Sequence, residues 1–369
     1  MTNTPPPNRF KRVALLTGTT LILGILFPLA LAEIGLRLFW GGYYEKDAEP
    51  RYQRDEILGW SPIPNFDGVH GGAEFKVRVR HDSNGMRGRE VSPARVHDVS
   101  RVVFVGDSMT YGHAASDEEA FVGLLDSRDN GIETVNLGVG GYNTCQEFLR
   151  LKYYGFKYHP DLVVLDVFWN DIYWENLESP GPKFEVRDGE LVQLGFDLED
   201  LNSELIFQRE EEGREWRDRL YVYRLVSDSI KLLRAQFRDN FSRKFKEGSK
   251  EKDEKTWAIM EALLLEFKNI CEENNTPLLV VLIPDQVEVE TDKKVLGLPP
   301  QFSEIKPRLE KFLSENDIDF YSPLSDLKED YLRIERPLYY NLNRHMTPDG
   351  NRALADAMEP VLRETLALE

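Results

Sequence analysis

Short, continuous apolar segments alternate with amphipathic segments over residues 101–369. The apolar segments have the length of strands buried on both faces, and the amphipathic ones have helical periodicity. The predicted strands span 101–106, 134–137, 162–168, 277–284 and 317–321, and the predicted helices span 118–126, 144–158, 256–274, 302–316 and 348–366. Alternating strands and helices indicate an α/β fold with a parallel sheet and helices on both faces. Ligands of such sheets bind beyond the carboxyl ends of the strands, so the chemistry is expected there.

The N-terminal part of the chain has a longer apolar pattern. Residues 13–32 contain no charged side chain, and about 20 such residues span the hydrocarbon core of a bilayer as a helix. Three basic side chains within residues 9–12 precede it, so the positive-inside rule keeps the N-terminus in the cytoplasm. We predict a cytoplasmic tail over 1–12 and a transmembrane signal anchor over 13–39. A cleaved signal peptide is the alternative, because residues 30–32 read Ala-Leu-Ala, yet apolar residues continue beyond them.

Two regions interrupt the alternation of strands and helices. Residues 40–100 are rich in glycine, proline and charge, and alternating pieces such as 75–79 indicate edge strands. We interpret this region as a linker that covers an edge of the main domain. Residues 172–253 contain a predicted hairpin over 183–194, followed by charge-dense segments typical of solvated helix faces. The main domain is therefore predicted over 101–369, with 172–253 as an insertion or lid.

Composition narrows the classes of function. The formal net charge is −18, which argues against nucleic acid as a partner because phosphate binding needs a basic surface. The two cysteines, Cys145 and Cys271, cannot form a zinc site of paired cysteines or a disulfide framework. We expect two buried thiols, with a single disulfide as the alternative. The sequence contains no HExxH or similar metal-ligand spacing, so we expect neither a metal nor another cofactor.

Candidate catalytic groups follow the first two predicted strands. The first strand leads into Gly106-Asp107-Ser108, where the glycine permits a tight turn and the serine is held at the rim of the sheet. The second strand leads into a glycine-rich run over 136–144. This run is not a dinucleotide fingerprint, because Asn143 stands where the third glycine of GxGxxG is needed. Its turn can instead bring a backbone N–H group close to an anion.

Two further candidates follow later elements. Asn170 and Asp171 come directly after the third predicted strand, and an asparagine side chain there can donate a hydrogen bond to an oxyanion. His345 lies just before the last predicted helix, which begins with Thr347 as N-cap and Pro348 at its first position. A histidine in that loop could reach a serine at the same edge of the sheet.

In their order and spacing, these four blocks resemble those of the SGNH (GDSL-like) hydrolase superfamily over about residues 101–369. The resemblance implies a three-layer αβα sandwich with a flavodoxin-like parallel sheet. It also implies that Ser108 is the nucleophile, that His345 is the general base, and that no cofactor is needed. The oxyanion donors would be the N–H groups of Ser108 and Gly141 and the side chain of Asn170. Upstream, 58–62 and 84–88 look like segments of membrane-anchored bacterial members, with some similarity to alginate O-acetylation proteins.

The chain departs from the family pattern in two places. Phe168 replaces the glycine that usually precedes the Asn-Asp pair, which could narrow the pocket. The triad aspartate, which the family places two or three residues before the histidine, is replaced by Leu342 and Asn343. Asn343 could orient the imidazole without supplying charge, or Asp171 could act as a distant carboxylate. Asp107, beside the nucleophile, is expected to support the site.

Three functions are compatible with this pattern. The first is a serine-dependent carboxylic-ester hydrolase (an esterase or deacetylase) that acts on an acylated small molecule or polysaccharide outside the cytoplasmic membrane. The second is an O-acyltransferase that modifies an envelope or exported polysaccharide. The third, motivated by the missing aspartate, is an inactive SGNH fold that serves in binding or assembly.

Overall fold

The computed structural model describes twelve stretches of the chain. They are residues 9–44, 50–71, 74–95, 99–168, 171, 181–197, 220–223, 225–227, 229, 249–290, 302–341 and 343–368.

The strands are numbered in chain order. They are β1 (Tyr52–Asp55), β2 (Gly59–Pro62), β3 (Asp67–Gly71), β4 (Lys76–Arg80), β5 (Ser100–Val105), β6 (Ile132–Asn136), β7 (Leu162–Val167), β8 (Lys183–Arg187), β9 (Glu190–Leu194), β10 (Leu278–Leu282) and β11 (Asp319–Tyr321).

The helices are numbered in the same way. They are α1 (Arg9–Leu21), α2 (Phe27–Tyr44), α3 (Ser108–Tyr111), α4 (Phe121–Asp126), α5 (Thr144–Tyr154), α6 (Ser249–Glu273), α7 (Gln286–Val289), α8 (Phe302–Glu315), α9 (Leu324–Ile334) and α10 (Pro348–Thr365).

A five-stranded parallel sheet forms the centre of the domain, with strand order β11-β10-β7-β5-β6. In chain order this is the 2-1-3-4-5 arrangement of flavodoxin-like folds, which confirms the predicted fold class. The order reverses between β5 and β7. Because crevices at such switch points hold the ligands of doubly wound sheets, the loops after β5, β6 and β7 are the expected site.

Successive side chains of the inner strands point to opposite faces of the sheet, and apolar side chains fill both faces, as the continuous apolar runs predict. Val103 and Val105 of β5 pack on one side with α5, α6 and α8, whereas Val102 and Phe104 pack on the other with α4, α9 and α10. All four are fully buried. Burying a side chain of this size stabilises the fold by about 1.5–3 kcal/mol, so these two layers hold the strand ends in place.

Several helix boundaries differ from the sequence-based prediction. The helix predicted from 118 begins at Phe121, and the one predicted to end at 158 continues beyond Tyr154 only as a 3-10 turn. The helix predicted from 256 begins earlier, at Ser249. Helix α9 was not predicted, and Leu327 is its one fully buried apolar residue among those described. Leu324, Tyr331 and Ile334 are partly buried beside it, at the spacing of one face of a helix.

The region before the sheet forms two small hairpins, β1-β2 and β3-β4, each a separate antiparallel sheet. The predicted strand near 75–79 thus pairs with β3 and is not an edge strand of the central sheet. The region is attached to the domain by Arg87, whose buried guanidinium lies 2.5 Å from a carboxylate oxygen of Asp117. Breaking one partner of such a buried pair costs about 3–5 kcal/mol, so the region is firmly held.

Two other predictions concern smaller features. The predicted hairpin over 183–194 is present as β8-β9, and it turns at Asp188 and Gly189, both with positive φ, as a two-residue hairpin turn requires. Most of the remaining insertion lies outside the described residues. Cys145 and Cys271 are buried free thiols.

The N-terminal helical segment is apolar and exposed. Residues Leu16–Phe39 form a 24-residue helical stretch with a mean hydropathy of 2.0, and none of it is buried against the protein. At 1.5 Å per residue it is about 36 Å long, enough to cross a bilayer. By length and composition this helix could be a membrane anchor or a signal sequence.

Candidate active site

Ser108 is placed by the tight turn that ends strand β5. It is the first residue of α3, and Asp107 caps this helix by accepting a hydrogen bond of 2.7 Å from the Met109 N–H. Gly106 is required here because a Cβ atom at that position would lie 2.1 Å from the hydroxyl oxygen of Thr110. The turn therefore presents the half-buried Ser108 at the carboxyl edge of the sheet.

The glycine-rich turn after β6 packs directly against α3. A Cβ atom on Gly138 would lie 2.4 Å from the backbone nitrogen of Tyr111, so only glycine allows this close approach. Asn136 joins the two turns, since its amide donates to the Thr110 carbonyl at 2.8 Å and its oxygen accepts from the Gly138 N–H at 2.9 Å. Gly141 follows at the exposed end of the turn with a φ of 80°.

The turn after β7 is described only in part. Asn170, the predicted side-chain donor to the oxyanion, and its neighbour Trp169 lie outside the described residues. Asp171 is fully buried, and its carboxylate accepts a hydrogen bond of 2.7 Å from the Phe168 N–H. This contact of Asp171 is with the backbone of Phe168 rather than with His345.

His345 meets Ser108 in the loop before α10. Its Nε2 lies 2.7 Å from the Ser108 Oγ, and its Nδ1 lies 2.5 Å from the Oδ1 of Asn343. Because an amide oxygen only accepts, the proton of the neutral ring is on Nδ1 and Nε2 is left to accept from the serine hydroxyl. The structure brings together Ser108, His345 and Asn343, in the arrangement of a Ser-His-Asn triad.

Contacts from two distant elements hold the loop that carries His345. The Glu74 carboxylate accepts hydrogen bonds from the backbone N–H groups of Asn341 at 3.0 Å and Asn343 at 2.9 Å. Arg344, with a φ of 64°, forms an ion pair of 2.5 Å with the buried Asp285. These contacts fix the backbone on both sides of the Asn343 side chain, so its oxygen faces the imidazole.

The electrostatic setting favours a neutral base. Burial lowers the pKa of His345, while the negative charge of Asp107 raises it to a smaller extent. Asp107 also lies close to the nucleophile, with an oxygen 3.3 Å from the Ser108 Oγ. A neutral imidazole at physiological pH is what a general base requires.

Two residues that the sequence analysis did not single out lie against His345. The ring of His113 stacks on that of His345 with a centroid distance of 4.4 Å and an interplanar angle of 27°. His70 of β3 approaches His113 in turn, with 3.1 Å between the two Nε2 atoms. Among the described residues, no group of three histidine, cysteine, aspartate or glutamate side chains is arranged to hold a metal ion.

A buried carboxyl group lies behind the turn that carries Ser108. Asp166 of β7 is 2% exposed and hydrogen-bonds the Thr110 hydroxyl at 2.6 Å, and its Oδ1 has no partner among the described residues. Burial raises the pKa of Asp166 to about 8, partly offset by the bond to Thr110. Because this pKa exceeds that of the same group in the unfolded chain, the contribution of Asp166 to stability is complete at low pH and is lost as the pH rises toward 8.

The substitution Asp166→Asn is therefore expected to increase the free energy of unfolding in a pH-dependent way. The gain should be small near pH 4 and reach about 2 kcal/mol or more at pH 8, because the amide does not ionise. Chemical denaturation of the full chain in detergent at both pH values measures it. Asp319→Asn, at an exposed position of the same sheet, is the control. If the free energy of unfolding depended on pH equally in Asp166→Asn and in the wild type, the raised pKa of Asp166 would be contradicted.

No family model and no curated protein matches the chain. Solved structures do match it. An acetyl xylan esterase is 18% identical with a TM-score of 0.40, over 71% of this chain and 99% of that protein. A GDSL-like lipase from Bacteroides thetaiotaomicron is 14% identical with a TM-score of 0.37, over 75% of this chain and 92% of the lipase. A catalytic mutant of an acetylxylan esterase from Geobacillus stearothermophilus is 14% identical with a TM-score of 0.38, over 75% and 98% of the two chains.

These structures are two acetylxylan esterases and a GDSL-like lipase, whereas a similarity to alginate O-acetylation proteins is not shown. At these identities and TM-scores we infer the activity from the side chains of the site alone. The chain is an α/β protein with a flavodoxin-like parallel sheet, and the solved structures that match it include acetylxylan esterases and a GDSL-like lipase.

Proposed function

We propose that this protein is a serine-dependent carboxylic-ester hydrolase, with Ser108 as nucleophile and His345 as general base. The observation that carries the proposal is the hydrogen bond of 2.7 Å between the Ser108 Oγ and the His345 Nε2. The bond from the His345 Nδ1 to Asn343 supports it, because it selects the tautomer that can accept the serine proton. This alignment of three side chains supports an active site over an inactive fold used in binding or assembly.

The reaction would proceed through an acyl-enzyme. The Ser108 Oγ attacks the ester carbonyl while its proton passes to the His345 Nε2, and a tetrahedral oxyanion forms. When this intermediate collapses, the ester bond breaks and His345 returns the proton to the departing alcohol. Water then attacks the acyl-serine and gives up a proton to His345. When the bond between the acyl carbon and the Ser108 Oγ breaks, His345 returns this proton to the Oγ and the carboxylic acid leaves. A sugar hydroxyl in place of water would give acyl transfer by the same steps.

The oxyanion would be stabilised by N–H groups at the strand ends. We propose the backbone N–H groups of Ser108 and Gly141, together with the Asn170 side chain. The close packing of the Gly138 turn on α3 supports the first two, because it keeps both turns at one edge of the sheet. Loss of one such donor typically lowers kcat by about 10²- to 10³-fold.

We further propose that the substrate is an acylated small molecule or polysaccharide outside the cytoplasmic membrane. The exposed apolar helix over Leu16–Phe39 supports an anchor, and the basic residues before it support an N-terminus inside the cell. In this arrangement residues 1–12 are the cytoplasmic tail, 13–39 the anchor and 40–100 the connection to the hydrolase domain. The acidic net charge does not oppose neutral substrates.

One labelling experiment tests both chemistry and location. A fluorophosphonate reacts only with an activated serine, so we expect the full chain to be labelled on Ser108, as located by mass spectrometry, and Ser108→Ala to remain unlabelled. In cells with an intact cytoplasmic membrane, a membrane-impermeant fluorophosphonate should label Ser108 as well as it does after lysis. Folded wild-type protein that resists the probe would refute the activated serine, and labelling only after lysis would refute the location.

A further inference from the structure

Three histidine rings form a continuous cluster behind the candidate nucleophile. His113 lies one residue beyond the C-cap of α3 and stacks on His345, and His70 of β3 meets its edge at a centroid distance of 4.3 Å and an interplanar angle of 76°. Phe75 packs edge-on against both His70 and His113. It also contacts Tyr340 in the loop that carries His345, here called the base loop. Aromatic side chains of the β3-β4 hairpin and of the loop before α10 therefore cover the stack.

Hydrogen bonding identifies the tautomer of His113. Its Nδ1 is buried without a partner among the described residues, while its Nε2 lies 3.1 Å from that of His70. A proton on Nδ1 would leave a donor unsatisfied in the interior, which is costlier than an unpaired acceptor in this aromatic setting. The proton of His113 is therefore on Nε2 and is donated to His70.

His113 is held neutral by its surroundings. Burial lowers its pKa well below the usual value, and the neighbouring rings of His345 and His70 add to this effect, as do the more distant charges of Arg51 and Arg87. The neutral ring turns a π face toward His345, whose other neighbours are Ser108, Asn343 and the carboxylate of Asp107. A cation above the face of a neutral aromatic ring is attracted to it, most strongly where water is excluded.

We propose that His113 is a positioning residue that stabilises the protonated form of His345 by stacking, in place of part of the stabilisation that a triad carboxylate provides. The inference rests on the proposed function, in which His345 becomes positively charged when it takes the serine proton. Asn343 fixes the orientation of the ring but brings no charge. The stacked face of His113 supplies an attraction that exists only once the proton has moved, so it favours the transition state over the resting state.

The geometry separates this role from a proton relay. Two stacked rings have no N–H group pointing at a nitrogen lone pair of the other, so no proton can pass between His345 and His113. The proton moves only from the Ser108 Oγ to the His345 Nε2 and back to the leaving group, and His113 stays neutral throughout. His70 acts one step further away, since its hydrogen bond keeps the His113 ring from rotating.

Two substitutions at position 113 distinguish stacking from simple packing. His113→Leu fills the space without an aromatic face, whereas His113→Phe retains the face, and both lose the bond to His70. In His113→Leu the pKa of His345 should fall by about 0.7 unit and the plateau of kcat/KM by about 5-fold. The acid limb of the pH-rate profile then moves to lower pH. In His113→Phe the pKa and the limb should stay near their wild-type positions.

The pKa of His345 is read by NMR on the full chain in detergent micelles with histidine labelled at Cε1, in parallel with the pH dependence of ester cleavage. An unchanged pKa in His113→Leu, or an equal fall in His113→Phe, would overturn the proposal. If His113→Leu does not fold, His113→Gln, which can still donate to His70, replaces it with the same expected shift. Absence of Ser108-dependent turnover in the wild type would refute the proposed function instead, and the NMR titration would still test the stack.

Discussion

Replacing His345 with alanine is expected to lower kcat/KM for ester cleavage by about 10³- to 10⁵-fold. Without the imidazole, the Ser108 hydroxyl has no acceptor at 2.7 Å and must lose its proton to water during attack. The remaining rate would come from substrate binding and the oxyanion donors. Steady-state cleavage of an activated acetyl ester by the full chain, with Ser108→Ala measured alongside, gives the size of the loss.

A matched control for this substitution is His159→Asn, which removes an exposed histidine that follows the 3-10 turn. Asparagine suits the left-handed backbone of that position, where φ is 48°. The control should cleave the ester at the wild-type rate. Turnover of His345→Ala at the rate of the control would show that His345 is not the base, and the Ser108–His345 contact would then have no catalytic meaning.

The substitution Asn343→Asp is expected to raise kcat/KM by about 10- to 100-fold. A carboxylate at 2.5 Å from Nδ1 would stabilise the imidazolium that Asn343 merely orients. The reverse change in a Ser-His-Asp protease costs about 10⁴-fold, which sets the upper limit. We expect less here, because Glu74 holds the backbone N–H of residue 343 at 2.9 Å and its negative charge would oppose a second carboxylate.

The pH profile separates this effect from a general change in the loop. A new negative charge raises the pKa of His345, so the acid limb of kcat/KM should move to higher pH as the plateau rises. Asn341→Asp is the matched control, because Glu74 binds its backbone N–H as well and its side chain is exposed. A plateau unchanged in Asn343→Asp, or raised equally in Asn341→Asp, would show that the missing charge does not limit the rate.

The alternation of apolar runs and helical segments was sufficient to predict the sheet and the groups at its strand ends. Buried strands such as β5 have a continuous apolar signal, and Gly106 and Ser108 follow it directly in the chain. The assignment of His345 depended on the resemblance of the four blocks, since a histidine in a loop has no local signature. The 2.7 Å contact between His345 and Ser108 then joins two positions 237 residues apart.

The stacked histidine and the carboxylate that holds the base loop could not be predicted in this way. His113 contacts His70 across 43 residues, and Glu74 binds Asn343 across 269 residues. Neither contact follows from periodicity, capping or composition, because each depends on how the β3-β4 hairpin packs on the domain. Helix α9 differs from these contacts, because Leu324, Leu327 and Tyr331 have helical spacing and pack on the core, so the sequence did contain a signal for it.

Glu74 and His70 both come from the hairpin that precedes the sheet, and the Tyr52 hydroxyl from the first hairpin accepts a hydrogen bond of 3.2 Å from the Gly140 N–H. The segment between the apolar helix and the sheet thus contributes to the candidate active site and is more than a tether. A soluble version designed for screening has to begin near residue 50. One trimmed to the α/β sheet at residue 101 would lose the groups that hold the base loop and the stack, and its inactivity would say nothing about the intact protein.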